Sequence, residues 1–71
     1  MMTYGERIRS LRILAGLSQQ AFGVAIGYSP TFAQSAVSQI EHDKRLPDLQ
    51  KIRRMSRALG VSVDLLVPED K

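Results

Sequence analysis

The chain has 71 residues, no cysteine, and ten Lys and Arg against seven Asp and Glu, for a formal net charge of +3. That length allows one domain at most, residues 1–71, and the missing cysteines exclude disulfides and thiolate metal sites, while the lone His42 cannot hold a metal by itself. No apolar run is long enough for a membrane span or a signal peptide, so a cytoplasmic protein is expected, and the basic balance (pI ≈ 9.8) suits a polyanion partner.

A first helix is expected over residues 4–15, with Ile8, Leu11 and Ala15 on its apolar face and Arg7, Arg9 and Arg12 around it. Gly16, Gly27 and Gly60 each follow an apolar-periodic stretch, as helix terminators do. Ser18 suits the N-cap of a second, short helix over 19–26, in which Phe22 and Ile26 are one turn apart and face inward. A third helix ends near His42, with Val37 and Ile40 on its buried side. Asp48 caps a fourth that reaches Leu59, where Leu49, Ile52, Met55 and Leu59 form the inner stripe. Ser62 starts a last short helix, with Leu65 and Leu66 packing back. No stretch alternates as a strand would. The fold class is therefore all-α, a compact bundle of five helices.

Packing alone explains nearly all the apolar positions. It does not explain why two short helices around a turn carry so many Gln and Ser side chains. Gln19 and Gln20 open the second helix, and Gln34, Ser35, Ser38 and Gln39 lie along the third. Amides can pair bidentately with adenine in a DNA major groove, and hydroxyls can serve several bases or phosphates. Uncharged side chains of this kind read base edges, whereas Lys44 and Arg45, which follow, suit backbone phosphates. On composition alone, a surface that is merely solvated fits these residues equally well.

In joint order and spacing, these segments resemble the Cro/repressor-like helix-turn-helix regulators of phages and bacteria, the XRE family, over nearly the whole chain. Gly5-Glu6-Arg7-Ile8-Arg9-Ser10-Leu11-Arg12 is similar to the family's first helix, and Gly16-Leu17-Ser18-Gln19-Gln20 to the start of its second. Val37-Ser38-Gln39-Ile40-Glu41, then Lys44-Arg45-Leu46-Pro47, is similar to the end of its recognition helix and the loop beyond. Ala58-Leu59-Gly60-Val61-Ser62-Val63-Asp64-Leu65-Leu66 is similar to its closing signature. The resemblance implies a repressor-like DNA-binding domain with a helix-turn-helix over about 18–42 and a tail at 67–71. It implies that Gln19 contacts phosphate and braces the recognition helix, and that Gln34, Ser35, Ser38 and Gln39 face the groove. It implies phosphate contacts for Lys44 and Arg45, and a structural salt bridge between Arg12 and Glu41, with a phosphate also within the reach of Arg12.

Three features depart from the family pattern. The distance from Gly27 to Glu41 is longer than usual by about four residues, close to one helical turn. Ser29-Pro30 reads as an N-cap and first helical position, which would start the recognition helix a turn early with Phe32 below Ala36. A wider loop is the other arrangement, and it avoids pushing an extra turn against the DNA. In this segment Tyr28 either touches phosphate or covers the core, and Phe32 is expected in the core. Gly23 stands where alanine is common and would let the third helix approach closely; Asp43 stands where glycine is common and tolerates the left-handed conformation. Ile13 and Leu14 occupy positions that often carry charge, and Lys51, Arg53, Arg54 and Arg57 read as a solvated face of the fourth helix.

The function expected is sequence-specific binding of double-stranded DNA that regulates transcription, as in a phage-type repressor or a restriction–modification controller. A homodimer joined through residues 61–67 would double the contacts on a two-fold site. The alternative is an antitoxin-like interaction module that also binds DNA, although Pro68-Glu69-Asp70-Lys71 is short for a partner-binding tail. An enzyme is not expected: no Ser/His/acid set, paired carboxylates, phosphate-cradling glycine loop or metal site is visible. No cofactor or small-molecule ligand is implied.

Overall fold

A computed structural model describes residues 1–68; Glu69, Asp70 and Lys71, part of the expected tail, lie outside the described residues. The described chain folds into α1 (Tyr4–Leu14), α2 (Gln19–Ala25), α3 (Ala33–Glu41) and α4 (Leu49–Leu59), followed by a 3-10 turn at Val63–Leu65. Among the described residues the fold is all-α with four α-helices. The fifth helix expected from the sequence is this single turn, closed by Leu65 N–H to Ser62 O (3.0 Å) and Leu66 N–H to Val63 O (2.8 Å). So short a segment cannot recover the cost of nucleating an α-helix, and tertiary packing of Leu66 holds it instead.

The helix starts follow local chemistry. Thr3 begins α1 with a reciprocal capping box: its Oγ1 accepts from Glu6 N–H (3.1 Å), and Glu6 Oε1 accepts from Thr3 N–H (2.9 Å). Ser18 and Asp48 cap α2 and α4 by accepting from Ala21 N–H and Lys51 N–H. α3 has no such cap; Phe32 occupies its N-cap position without a side-chain hydrogen bond. The start of α3 is therefore held by packing against α2.

Ile8, Phe22, Ile26, Val37, Ile40, Ile52, Met55 and Leu66 form the core. Four expected core positions lie outside it, of which Phe32 belongs to the turn before α3. Ala15 is the C-cap of α1 and is exposed, one residue past the helical face. Leu49 is 57% exposed, because it opens α4 and helical side chains lean back toward the N-terminus, here beyond the core. Leu65 is 49% exposed, because the 3-10 turn sends Leu66 inward in its place.

Two glycines set the helix spacing. A Cβ on Gly23 would lie 2.5 Å from Ala33 O, so α2 and α3 meet backbone to backbone at the start of α3. A Cβ on Gly5 would lie 2.6 Å from Ile40 O, which brings α1 equally close to the end of α3. Asp43 adopts φ 61°, the left-handed turn expected of it, and its Oδ1 accepts from Gly5 N–H at 2.8 Å. The first turn of α1 and the last turn of α3 are thus joined.

The segment expected to be additional forms a wide turn. Tyr28 N–H donates to Gly23 O (3.0 Å), Phe32 N–H to Ser29 O (3.0 Å), and α3 begins only at Ala33. Tyr28 packs against the core cluster. Phe32 does not enter the core: it is 37% exposed, because Ala33 beside it occupies the close contact with α2 and turns the preceding side chain outward.

Candidate nucleic-acid interface

The candidate surface is built on a buried polar bracket. Arg12 of α1 meets Glu41 of α3 through Nε to Oε2 at 2.5 Å and Nη2 to Oε1 at 3.2 Å. Arg12 Nη1 also donates to Leu17 O in the α1–α2 turn (2.8 Å), and Gln19 Nε2 of α2 donates to Glu41 Oε1 (3.0 Å). One carboxylate therefore gathers α1, α2 and α3. The side chains of Arg12 and Glu41 are 10% and 1% exposed, and three of the five guanidinium N–H donors are used inside the protein. The bracing role expected of Gln19 has a direct partner here, in Glu41.

On this bracket sits an open groove of ≈590 Å³ between α2 and α3, lined by Gln19, Gln20, Pro30, Thr31, Gln34, Ser35, Ser38 and Gln39. The four α3 residues expected to meet DNA line it, together with both glutamines of α2. Gln34 and Ser35 are exposed, and Ser38 and Gln39 are half-buried. None of the eight lining side chains carries a charge. Gln20 Nε2 donates to Pro30 O (3.0 Å), which ties the wide turn to α2. A second groove of ≈650 Å³ shares Gln19 and Ser38 and continues past Arg9, His42 and Asp43 to Thr3 at the start of α1. The polar surface is thus continuous across the front of α3.

The cations stand at different depths. Lys44 is exposed in the loop after α3. Arg45 is half-buried; its Nε donates to Gln39 Oε1 at 2.9 Å, and its Cζ lies 5.0 Å from the centre of the Phe32 ring. Tyr28 lies away from the groove lining, edge-on to Phe32 with centroids 5.8 Å apart and with Lys51 Nζ 4.8 Å from its own ring centre. Arg53, Arg54 and Arg57 are exposed along α4, and Lys51 is half-buried. Ile13 and Leu14 are 51% and 83% exposed, so both apolar side chains at the end of α1 face solvent.

Several connections escape sequence reading. The Gln39–Arg45 pair spans a loop and has no helical spacing to announce it. Gly5, in the first turn of α1, did carry a signal, because a glycine in a helical pattern often marks close backbone approach. Its partner, Asp43, could not be named without the fold.

A short helix presenting uncharged hydrogen-bonding side chains, braced across a turn on a preceding short helix, defines a helix-turn-helix protein. The Helix-turn-helix family matches residues 8–66. The uncharacterized HTH-type transcriptional regulator YazB of Bacillus subtilis (strain 168) is 37% identical over 68 residues, 96% of this chain and 93% of that protein. The SPbeta prophage-derived uncharacterized HTH-type transcriptional regulator YonR of the same organism is 33% identical, over 90% of this chain and 56% of that longer protein. Among solved structures, the P22 c2 repressor in complex with synthetic operator 9T superposes with a TM-score of 0.79 at 33% identity, covering 99% of this chain and 100% of that one. The restriction-modification controller protein C.AhdI from Aeromonas hydrophila gives a TM-score of 0.72 at 28% identity, covering 90% of this chain and 91% of that one. The chain belongs to the helix-turn-helix family, among the HTH-type transcriptional regulators.

Proposed function

We propose that this protein regulates transcription by laying α3 in the major groove of double-stranded DNA, where Gln34, Ser35, Ser38 and Gln39 meet base edges. The observation that carries this reading is the groove itself: six amide and hydroxyl side chains of α2 and α3 converge on one open surface. Such groups match the donors and acceptors that base pairs present in the major groove. Lys44, exposed just past α3, reaches backbone phosphate, and Gln19 adds a contact at the start of α2. Tyr28, although outside the groove lining, offers its hydroxyl as a further phosphate donor. Arg12 acts from behind it, by holding Glu41.

The likeness to a repressor solved with its operator supports the same docking. The reading makes residues 1–71 one DNA-binding domain, with the helix-turn-helix over 18–42, and makes the protein a cytoplasmic binder of DNA rather than an enzyme. Among the described residues, no helix is long and apolar enough to cross a membrane. Two copies act together on a two-fold site, joined through residues 61–67. Leu65 and Val67, 49% and 43% exposed, are the apolar side chains there that a second copy would cover.

Selection of bound sites from random duplexes tests the reading. A short symmetric motif with half-sites about one helical turn apart is the expected result. A pool that stays random would refute base recognition. Sedimentation that shows only monomer, even on the selected duplex, would refute the dimer.

A further inference from the structure

Gln39 lies in the last turn of α3 and Arg45 in the loop beyond it, and the two form one hydrogen-bonded unit. Arg45 Nε donates to Gln39 Oε1 at 2.9 Å. A guanidinium offers only donors, so the Gln39 amide must turn its oxygen to Arg45, and this decides which way the side chain faces. Arg45 is held on its other side by the Phe32 ring, 5.0 Å from its Cζ. Phe32 is held in turn by Tyr28, ring centroids 5.8 Å apart at 77°, and Tyr28 packs against the core. A continuous run of contacts thus leads from the core, through the wide turn, to one side chain of the groove. Among the described residues, no hydrogen bond within the protein uses Gln39 Nε2, so its two N–H donors remain for a partner.

We propose that Arg45 sets the base preference of Gln39, converting it from an adenine reader into a donor that selects guanine. The inference rests on the reading of α3 as the base-contacting helix. A free glutamine pairs with adenine by donating to N7 and accepting from the N6 amino group. Here the accepting oxygen is already engaged by a cationic donor, and adenine's amino group would have to share it. Guanine presents two acceptors in the same groove, O6 and N7. They suit the two N–H groups of Gln39 Nε2, whereas adenine's amino group needs the oxygen that Arg45 holds. Arg45 is here a positioning residue for specificity, and Phe32 is the platform that keeps it in place.

The test is selection from random duplexes with the wild-type chain and with Gln39→Ala, Arg45→Ala, Arg45→Met and Phe32→Ala. Arg45→Met keeps an unbranched stem over Phe32, and so guards against a loss of folding that Arg45→Ala alone could not distinguish. Loss of preference in Gln39→Ala identifies the base pair that Gln39 reads. The expected result is guanine at that position in the wild type, by roughly tenfold over adenine. Both Arg45 variants should then shift toward adenine there, with the other positions of the motif unchanged, and Phe32→Ala should shift part of the way. Adenine at that position in the wild type, or guanine retained in Arg45→Met, would overturn the proposal while leaving DNA recognition standing. A wild-type pool without any motif would instead overturn the DNA reading, and this inference with it.

Discussion

Glu41→Ala is the sharpest probe of what holds the interface in shape. The wild-type carboxylate is 1% exposed and accepts two hydrogen bonds from Arg12 and one from Gln19. Truncation leaves a nearly buried guanidinium with Leu17 O as its remaining partner. Breaking a buried pair from one side costs about 3–5 kcal/mol. Gln39→Ala removes one half-buried hydrogen bond, worth about 0.5–1.5 kcal/mol. For a domain of this size each kcal/mol moves Tm by roughly 4–8 °C, so Glu41→Ala should melt roughly 12–40 °C below wild type. Thermal and urea unfolding followed by circular dichroism measure both variants. If Glu41→Ala is already unfolded, Glu41→Gln, which keeps the shape and one acceptor, should fall between it and wild type. The double change Arg12→Met with Glu41→Met removes both charges together and should recover most of the loss. Equal melting of Glu41→Ala and Gln39→Ala, or a double variant as unstable as the sum of its singles, would refute the bracket.

Other expectations follow from the same geometry. Gly23→Ala should destabilise by about 1–3 kcal/mol in urea unfolding, because its Cβ would meet Ala33 O at 2.5 Å; a gain of stability, as intrinsic helix propensity alone favours, would show that α3 can move away. The Tyr4 hydroxyl donates to Leu66 O at 2.6 Å, and burial pushes its pKa up from 10.0 to about 12 against the opposing pull of Arg7. The protonated form is the one the fold favours, so its contribution is intact below pH 10 and is lost as pH rises toward 12; unfolding measured across that range should lose this slope in Tyr4→Phe. Lys44→Ala should weaken binding to specific and non-specific duplex alike and lower the salt slope by about one in titrations at several salt concentrations. Gln34→Ala should instead weaken only the specific duplex, by about 1–3 kcal/mol, with preference relaxed at one base pair; an equal loss on both duplexes would remove its base-reading role.

Helix spans and most of the core were legible because they rest on short-range rules. Ser18 and Asp48 cap where the sequence says they should, and Phe22, Ile26, Val37, Ile40, Ile52 and Met55 keep a helical period. The misplacements fall at ends. Ala15, Leu49 and Leu65 continue an apolar pattern past the point where neighbouring elements cover it, and periodicity holds no information about where cover stops. The last segment looked helical through its Ser62 cap, yet length decided it. The groove was legible as a set of residue types, Gln19 through Gln39, and the shared carboxylate of Glu41 came only through family resemblance. The Arg45–Gln39–Phe32 arrangement was not legible, since it needs a loop conformation that no local spacing encodes.

The longer turn before α3 looks at first like an intrusion into the helix-turn-helix, but three observations make it part of the same device. Gly23 lets α3 begin with Ala33 against the α2 backbone, so the helix stays anchored although its N-cap makes no side-chain hydrogen bond. Gln20 fixes the turn from the groove side through Pro30 O. Tyr28 fixes it from the core side, and the residue left over, Phe32, is directed outward against Arg45. α3 accordingly begins only at Ala33, after the turn. The turn gives the far end of α3 a support that reaches around from before its start. Without Phe32 5.0 Å from its Cζ, Arg45 would lose that support, and with it the fixed donor to the Gln39 oxygen.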